Sequence, residues 1–168
     1  MPEFPNISHW VRPTRLFNEG KLYAGTLLGV VNGQVQIVKN DIQIVPDSQI
    51  YDFDGIISPG FFDLQVNGGG GILFNEAPTK ESIWDIAKAH KKFGTTGIFP
   101  TVITDKLSIL RRAVDAVIEA VGQNGILGIH IEGPHISLEK RGTHKAEFNR
   151  PFDEDTFQLV EKLRAADV

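Results

Sequence analysis

Apolar and polar positions follow two different patterns along this chain, and the change comes near Asp54-Gly55. Before it, short apolar runs are separated by turn residues, and the clearest pair of runs flanks Asn32-Gly33. Both central positions of a tight hairpin turn need positive φ, which Asn-Gly adopts readily, so residues 27–38 are predicted to form a β-hairpin. Residues 42–45 are a further predicted strand, closed by turn residues at 46–48. Residues 1–55 are therefore predicted to be a small β unit.

After Gly55, predicted strands alternate with predicted helices. The apolar runs at 56–66, 96–102 and 128–132 are short and rich in β-branched and aromatic residues, as buried strands are. Apolar residues at helical spacing predict three helices, at 79–93, 105–121 and 153–165. Thr79 and Asp105 are predicted to cap the first two, and Phe93 is predicted to lie on the apolar face of the first. Three such units predict an α/β fold with a parallel sheet and right-handed crossovers.

The third predicted strand carries the most informative polar residues. His130 and Glu132 are two residues apart, so strand alternation puts both side chains on one face, and Gly133-Pro134 ends the strand. Active-site loops gather at the carboxyl ends of parallel strands, where a carboxylate can hold a metal or move a proton. The alternative is a solvated Glu at the strand end beside a hydrogen-bonded core His, because a buried Glu needs a partner but not a catalytic role.

Composition narrows the classes of function. The 168 residues are 41% hydrophobic and 23% charged, which is typical of a soluble globular protein. A net charge of -4, with no run of Lys and Arg, argues against sequence-independent nucleic-acid binding. The chain has neither a membrane-spanning apolar run nor a signal-like N-terminus, so no membrane association and a cytoplasmic location are expected. Because there is no cysteine, a metal would have to bind Glu, Asp, His, Asn, Gln or water.

Three motifs in a fixed order carry a family resemblance. They are Pro-Gly-Phe-Phe-Asp at 59–63, His-Ile-Glu-Gly-Pro at 130–134 and Lys-Arg-Gly-Thr-His at 140–144. Each motif alone is weak, but together they are quite specific. From about residue 22 to the last residue, the chain resembles the N-acetylglucosamine-6-phosphate deacetylase family, in the metal-dependent amidohydrolase superfamily. The resemblance implies that residues 56–168 are the first three βα units of a (β/α)8 TIM-type barrel, and that residues 1–55 are part of a β-sandwich.

The resemblance also implies an activity in amino-sugar catabolism. The implied reaction is hydrolysis of the acetamide of N-acetylglucosamine 6-phosphate by a metal-activated water, which gives glucosamine 6-phosphate and acetate. Glu132 matches the metal-binding glutamate of the family, and a carboxylate oxygen suits a divalent cation that polarises an amide carbonyl. Thr143 and His144 match the pair that contacts the substrate. His130 and His135 are expected to line the site.

The end of the strand predicted at 56–66 differs from the wider superfamily. Many amidohydrolases have His-x-His where this chain has Gln65 and Asn67. Neutral amides are poor substitutes for imidazole as transition-metal ligands, so these two residues are expected to line the site without building a second metal site. The expected cofactor is therefore one divalent metal ion per intact subunit, with zinc as the expected metal.

The resemblance places two histidine metal ligands, the catalytic aspartate and a phosphate-binding arginine beyond Val168. No catalytic residue is therefore expected within this chain, which is expected to be an inactive piece of a longer, homo-oligomeric enzyme. A complete barrel needs about 250 residues, and the unpaired sheet edge is expected to make the isolated chain marginally stable and prone to association. Two alternatives stay open: another amidohydrolase, such as a cyclic-amide hydrolase, or a non-catalytic module for sugar-phosphate binding or oligomerisation.

Overall fold

The computed structural model describes residues 9–39 and 50–168, and it divides the chain into two units after Pro59. The described strands of the first unit form one sheet of five strands. They are β1 (His9–Asn18), β2 (Lys21–Tyr23), β3 (Leu27–Val31), β4 (Gln34–Lys39) and β5 (Ile50–Ile57). The strand order is β2-β1-β3-β4, and β5 runs parallel to β1.

The predicted hairpin at Asn32-Gly33 is confirmed. Strands β3 and β4 are antiparallel, and Val31 pairs with Gln34 across the two-residue turn. Asn32 and Gly33 have φ angles of 51° and 77°, the positive values that this kind of turn requires. The predicted strand at 42–45 and its closing turn at 46–48 lie outside the described residues.

The prediction of a single strand at 56–66 is wrong, because the structure has two strands there. Ile56 and Ile57 end β5, which pairs with β1 in the first unit, whereas β6 (Phe61–Val66) belongs to the second unit. Pro59 lies in the interruption, where its missing N–H cannot contribute to a sheet ladder. The two units therefore divide a few residues after the junction predicted at residue 55.

The second unit is an α/β arrangement in which the three predicted helices are present. Its elements after β6 are β7 (Gly68–Gly69), β8 (Ile72–Leu73), α1 (Lys80–Lys91), β9 (Thr95–Ile103), α2 (Leu107–Ala120), β10 (His130–Glu132) and α3 (Glu154–Ala165), with a short 3₁₀ helix at Ala146–Phe148. Strands β6, β9 and β10 are parallel in the order β10-β9-β6. The predicted parallel sheet with alternating helices is confirmed.

The helices and the parallel sheet share one apolar core. Ile98 and Val102 of β9 lie in it with Leu110, Val114 and Val117 of α2, all of them 2% exposed or less. The α2 residues are spaced so that they fall on one side of a helix, as their pattern predicted. No helix in the described part of the chain is long and apolar enough to cross a bilayer.

The structure confirms one of the two helix-cap predictions and contradicts the other. The prediction for α1 is confirmed, since Thr79 Oγ1 accepts a hydrogen bond from the Ser82 N–H at 3.2 Å. The prediction that Asp105 caps α2 is wrong, because Lys106 is the N-cap residue and makes no side-chain cap hydrogen bond. Asp105 instead accepts hydrogen bonds from the Lys106 N–H at 2.7 Å and from Asn75 Nδ2 at 3.0 Å.

Candidate functional site

Polar residues from three strands meet at the carboxyl edge of the parallel sheet. Gln65 lies near the end of β6, Thr104 follows β9, and Glu132 ends β10. The Gln65 side chain reaches past the central strand, so that its Nε2 donates a hydrogen bond to Glu132 Oε2 at 2.9 Å. The Thr104 N–H donates to the Glu132 carbonyl oxygen at 2.9 Å, which ties the ends of β9 and β10 together.

His144 reaches the same place from the loop that follows β10. It is 8% exposed, and its Nε2 lies 3.3 Å from Glu132 Oε1. Its other ring nitrogen, Nδ1, lies 2.7 Å from Thr104 Oγ1. Gln65, Thr104, Glu132 and His144 therefore form one hydrogen-bonded group, named here the Glu132 cluster. The Glu132 side chain remains 31% exposed, so the carboxylate is open to a ligand.

Close packing at Gly133 and hydrogen bonds at Arg141 shape the loop that carries His144. Gly133 has a φ of +87°, and a Cβ there would lie 2.1 Å from Thr104 Oγ1, so a side chain would be strained and would collide. Further along the loop, the His144 N–H donates to the Arg141 carbonyl oxygen at 3.1 Å, and Arg141 Nη1 donates to the His144 carbonyl oxygen at 2.7 Å. The loop therefore presents His144 through hydrogen bonds at both its backbone groups.

The other residues expected to line the site lie in different surroundings. His130 is half-buried, and its Nδ1 is 3.2 Å from Thr101 Oγ1 on β9. Thr143 and Asn67 are exposed. The structure thus brings Gln65 and His144 to Glu132, and the expected roles of all these site residues stay predictions.

His135 joins the loop to the start of α3. Its Nδ1 lies 2.9 Å from the Arg150 carbonyl oxygen, and its Nε2 lies 3.1 Å from Thr156 Oγ1. Asp153 caps α3 by accepting from the Thr156 N–H at 2.9 Å and from the Thr156 hydroxyl at 2.7 Å. These hydrogen bonds hold the pKa of Asp153 below its ordinary value, with the Thr156 hydroxyl as the largest cause. Both His135 ring nitrogens are therefore engaged in anchoring the loop.

Sequence reasoning missed Thr104. A lone Thr carries no motif, but it follows β9 directly, and polar residues at the carboxyl ends of parallel strands are candidates for a site. The same rule that selected Glu132 could have selected it.

The described residues do not complete a metal site. Among them, no group of three or more His, Asp or Glu side chains is arranged to hold a metal ion. Glu132 supplies one carboxylate, whereas a catalytic zinc usually has three protein ligands. The cluster alone does not fit a catalytic metal, so the remaining ligands would have to come from residues other than those described.

No family model matches the chain. Over 92 residues it is 52% identical to the N-acetylgalactosamine-6-phosphate deacetylase of Shewanella sp. (strain ANA-3), an alignment that covers 54% of this chain and 23% of that protein. Over 148 residues it is 34% identical to the N-acetylglucosamine-6-phosphate deacetylase of Danio rerio, covering 85% of this chain and 33% of that protein. The crystal structure of N-acetylglucosamine-6-phosphate deacetylase from Pasteurella multocida matches with a TM-score of 0.79 and 27% identity, over 90% of this chain and 41% of that chain.

Fold and site together define an α/β chain with a polar cluster at the carboxyl ends of parallel strands. The chain is a relative of the N-acetylglucosamine-6-phosphate deacetylases, as its three motifs predicted. It spans between 23% and 33% of the length of these two curated relatives.

Proposed function

We propose that the protein is an amino-sugar-phosphate deacetylase that hydrolyses the acetamide of N-acetylglucosamine 6-phosphate to glucosamine 6-phosphate and acetate. The observation that carries the proposal is the Glu132 cluster. Residues from two separate motifs, Glu132 of His-Ile-Glu-Gly-Pro and His144 of Lys-Arg-Gly-Thr-His, lie within 3.3 Å of each other. The names of the relatives from Danio rerio and Pasteurella multocida support the same substrate.

Within this proposal, each residue of the cluster has a separate task. Glu132 would supply one ligand of a single divalent metal ion, expected to be zinc, and residues other than those described would supply the others. His144, through Nε2, donates a hydrogen bond to the amide oxygen or to a sugar hydroxyl, and Thr143 contacts the sugar beside it. Gln65 orients the Glu132 carboxylate through the hydrogen bond to Oε2.

The architecture that we propose for the complete protein follows the same relatives. Strands β6, β9 and β10 with their helices are the first three units of a (β/α)8 barrel, and the first unit is part of a β-sandwich. The parallel order of the three strands and the TM-score of 0.79 support this arrangement. A cytoplasmic homo-oligomer without nucleic-acid or membrane partners completes the proposal.

Glu132→Gln tests the proposal in the complete product of the gene. Replacing the carboxylate with a neutral amide removes the metal ligand while it keeps the size of the side chain. We expect the variant to lose most of its acetate release. Elemental analysis should show that it has also lost most of its bound metal. Glu119→Gln is the matched control, because Glu119 is an exposed carboxylate on α2 and should keep both properties. Full activity and unchanged metal content in Glu132→Gln would reject the proposal.

N-acetylgalactosamine 6-phosphate is a second candidate substrate. The 52% identity to the Shewanella protein over 92 residues favours it. The two sugars differ only in the orientation of one hydroxyl, so a ratio of kcat/KM for the two phosphates decides between them. A cyclic amide in the same panel tests the alternative amidohydrolase activity, and calorimetry with both sugar phosphates, with and without zinc, tests a non-catalytic binding role.

A further inference from the structure

We propose that Asn75 is a positioning residue for the candidate site. Its side-chain amide pairs with the end of β9 in the way that a neighbouring strand would, and it thereby holds Thr104, the next residue of the chain, in place. The anchoring of β9 follows from hydrogen bonds that lie outside the Glu132 cluster. Only its use in catalysis rests on the proposed function.

The end of β9 needs a hydrogen-bond partner on the side away from β10. Backbone groups of successive strand residues point to opposite neighbours. The Thr104 N–H points to β10, where it donates to the Glu132 carbonyl oxygen at 2.9 Å. The N–H and the carbonyl group of Ile103 therefore point to the side of β6. Among the described strands, however, β6 pairs with β9 for the last time at Val66 and Pro100, before Ile103 is reached.

Asn75 supplies both partners that the Ile103 backbone needs. Its Oδ1 accepts from the Ile103 N–H at 2.9 Å, and its Nδ2 donates to the Ile103 carbonyl oxygen at 3.1 Å. A primary amide carries a donor and an acceptor side by side, as a peptide group does, so one side chain replaces one residue of a strand. Just before Asn75, Phe74 is fully buried, and its N–H donates to the Asn67 carbonyl oxygen at 2.9 Å. The backbone that carries the amide is therefore anchored in the core.

Asp105 fixes the orientation of the Asn75 amide. Nδ2 also donates to Asp105 Oδ2 at 3.0 Å, and Asp105 Oδ1 accepts from the Lys106 N–H at 2.7 Å. A carboxylate and a carbonyl oxygen only accept, whereas a backbone N–H only donates, so a flipped amide would lose all of these contacts. Asn75 thus holds the chain at Ile103 and at Asp105, on both sides of Thr104.

Thr104 carries this anchoring into the candidate site. It is 2% exposed, its N–H donates to the Glu132 carbonyl oxygen, and its Oγ1 lies 2.7 Å from His144 Nδ1. A shift of the end of β9 would therefore change the distances to both residues. Asn75 acts on the site through Thr104, which makes it a positioning residue and not a catalytic one.

Hydrogen–deuterium exchange of the Ile103 N–H in the complete gene product tests the anchoring. Mass spectrometry of peptides that begin on either side of Ile103 isolates this amide. We expect slow exchange in the unmodified protein, and exchange about tenfold faster in Asn75→Leu, which keeps the approximate size of the side chain but offers no acceptor. Equal rates in the two proteins would overturn the inference.

A reversed pair tests the polarity of the contact with Asp105. Asn75→Asp places a second carboxylate where Nδ2 now lies 3.0 Å from Asp105 Oδ2, so repulsion should speed the exchange of the Ile103 N–H. Adding Asp105→Asn restores one amide and one carboxylate with their positions exchanged. We expect the double variant to recover much of the protection, though not all, because the Ile103 carbonyl oxygen still lacks its donor. A double variant that exchanges as fast as Asn75→Asp alone would overturn the inference.

Kinetics of the complete gene product give the second readout. We expect Asn75→Leu to lower kcat about tenfold and to change KM less than about threefold, and the double variant to regain part of the rate that Asn75→Asp loses. Leu163→Ala is the control for general destabilisation, because it opens a cavity beside α3 but removes no hydrogen bond of the site. It should lower the Tm and keep kcat. An equal loss of kcat in Leu163→Ala would overturn the positioning role.

The two readouts separate this inference from the proposed function. A protein that releases no acetate from either sugar phosphate, but shows the expected exchange at Ile103, would reject the proposed function and leave the anchoring of β9 standing. An active protein whose kcat is unchanged in a folded Asn75→Leu, despite faster exchange at Ile103, would overturn the use of Asn75 in catalysis.

Discussion

Strands β6 and β9 are neighbours in one sheet and both are rich in apolar residues, yet they differ sharply in burial. In β6, Phe61, Phe62 and Leu64 are 64%, 68% and 67% exposed, and Val66 is its one buried residue. In β9, Ile98 and Val102 are 2% and 0% exposed. β9 is the central strand, with a strand on each side and helices packed on it, whereas β6 lies at the edge. Apolar content alone therefore does not determine burial, because burial depends on which neighbours a strand has.

The largest expected effect is a loss of stability from the central strand. Ile98→Ala leaves a cavity in the core and should lower the free energy of unfolding by about 3 kcal/mol. Leu64→Ala, the control on the edge strand, should change it by less than about 0.5 kcal/mol, because its side chain is already in water. Urea unfolding of both variants measures the difference. Equal losses of stability would show that β6 is as buried in solution as β9, and would contradict the difference in burial between the two strands.

The same dependence on neighbours explains which features the sequence could predict. Thr79 caps α1 through an atom three residues away, so a local pattern was enough to predict it. Asp105 has the same local pattern, but one of its oxygens accepts a hydrogen bond from Asn75, which is 30 residues distant. Phe93 is 82% exposed because α1 ends at Lys91, so the helical spacing does not apply to it.

At the candidate site, too, the sequence predicted local features better than contacts between distant residues. Strand alternation and the motifs selected Glu132 and His144, and these two do meet. Gln65, which contacts Glu132, was also selected, whereas Thr104 was missed, because it belongs to no motif and its hydrogen bond to His144 spans 40 residues. His130 carries the same chemical groups as His144, and only its register opposite Thr101 shows that it is held by the neighbouring strand.

A smaller loss of stability is expected from a change at the start of α1, the helix that packs on β9. Thr79→Ala removes the acceptor for the Ser82 N–H and should lower the free energy of unfolding by about 1 kcal/mol. Thr79→Ser keeps the hydroxyl and should retain most of the stability. Denaturant unfolding distinguishes the two. If alanine and serine behaved alike, the cap would contribute nothing, and the stability of the helix would come from its core contacts alone.

A still smaller, pH-dependent effect is expected at the start of α3, which adds Leu159 and Leu163 to the core that buries β9. The pKa of Asp153 is lowered, first by the Thr156 hydroxyl and N–H and then by the charges of Arg150 and His135. A lowered pKa means that the ionised carboxylate stabilises the fold above the unfolded pKa of about 4, and that this contribution is lost as pH falls through the folded value.

Asp153→Asn isolates that contribution, because Asn is also a good N-cap residue. We expect the Tm of the variant to lie about 2 °C below that of the unmodified chain near neutral pH. The difference between the two Tm values should begin to shrink as the pH falls below about 4, and it should vanish once the pH is below the lowered pKa of Asp153 in the folded chain, where the unmodified carboxylate is protonated too. Calorimetry across this range is the measurement. A Tm difference that stayed constant down to acid pH would mean that the carboxylate charge is not its cause.

The smallest change in stability is expected from Leu64→Lys, which tests the edge strand by association. The three exposed apolar side chains of β6 lie beside a strand edge that pairs with no other described strand, and such an edge is a template for pairing with another chain. A lysine there should leave the free energy of unfolding within about 0.5 kcal/mol, yet shift the sedimentation distribution toward the monomer, because a charge would have to be buried on pairing. Lys88→Arg on the surface of α1 is the control and should leave sedimentation unchanged. If the unmodified chain sediments as a monomer at every concentration, the edge of β6 does not associate in solution. The two strands then differ only in how much their side chains contribute to stability.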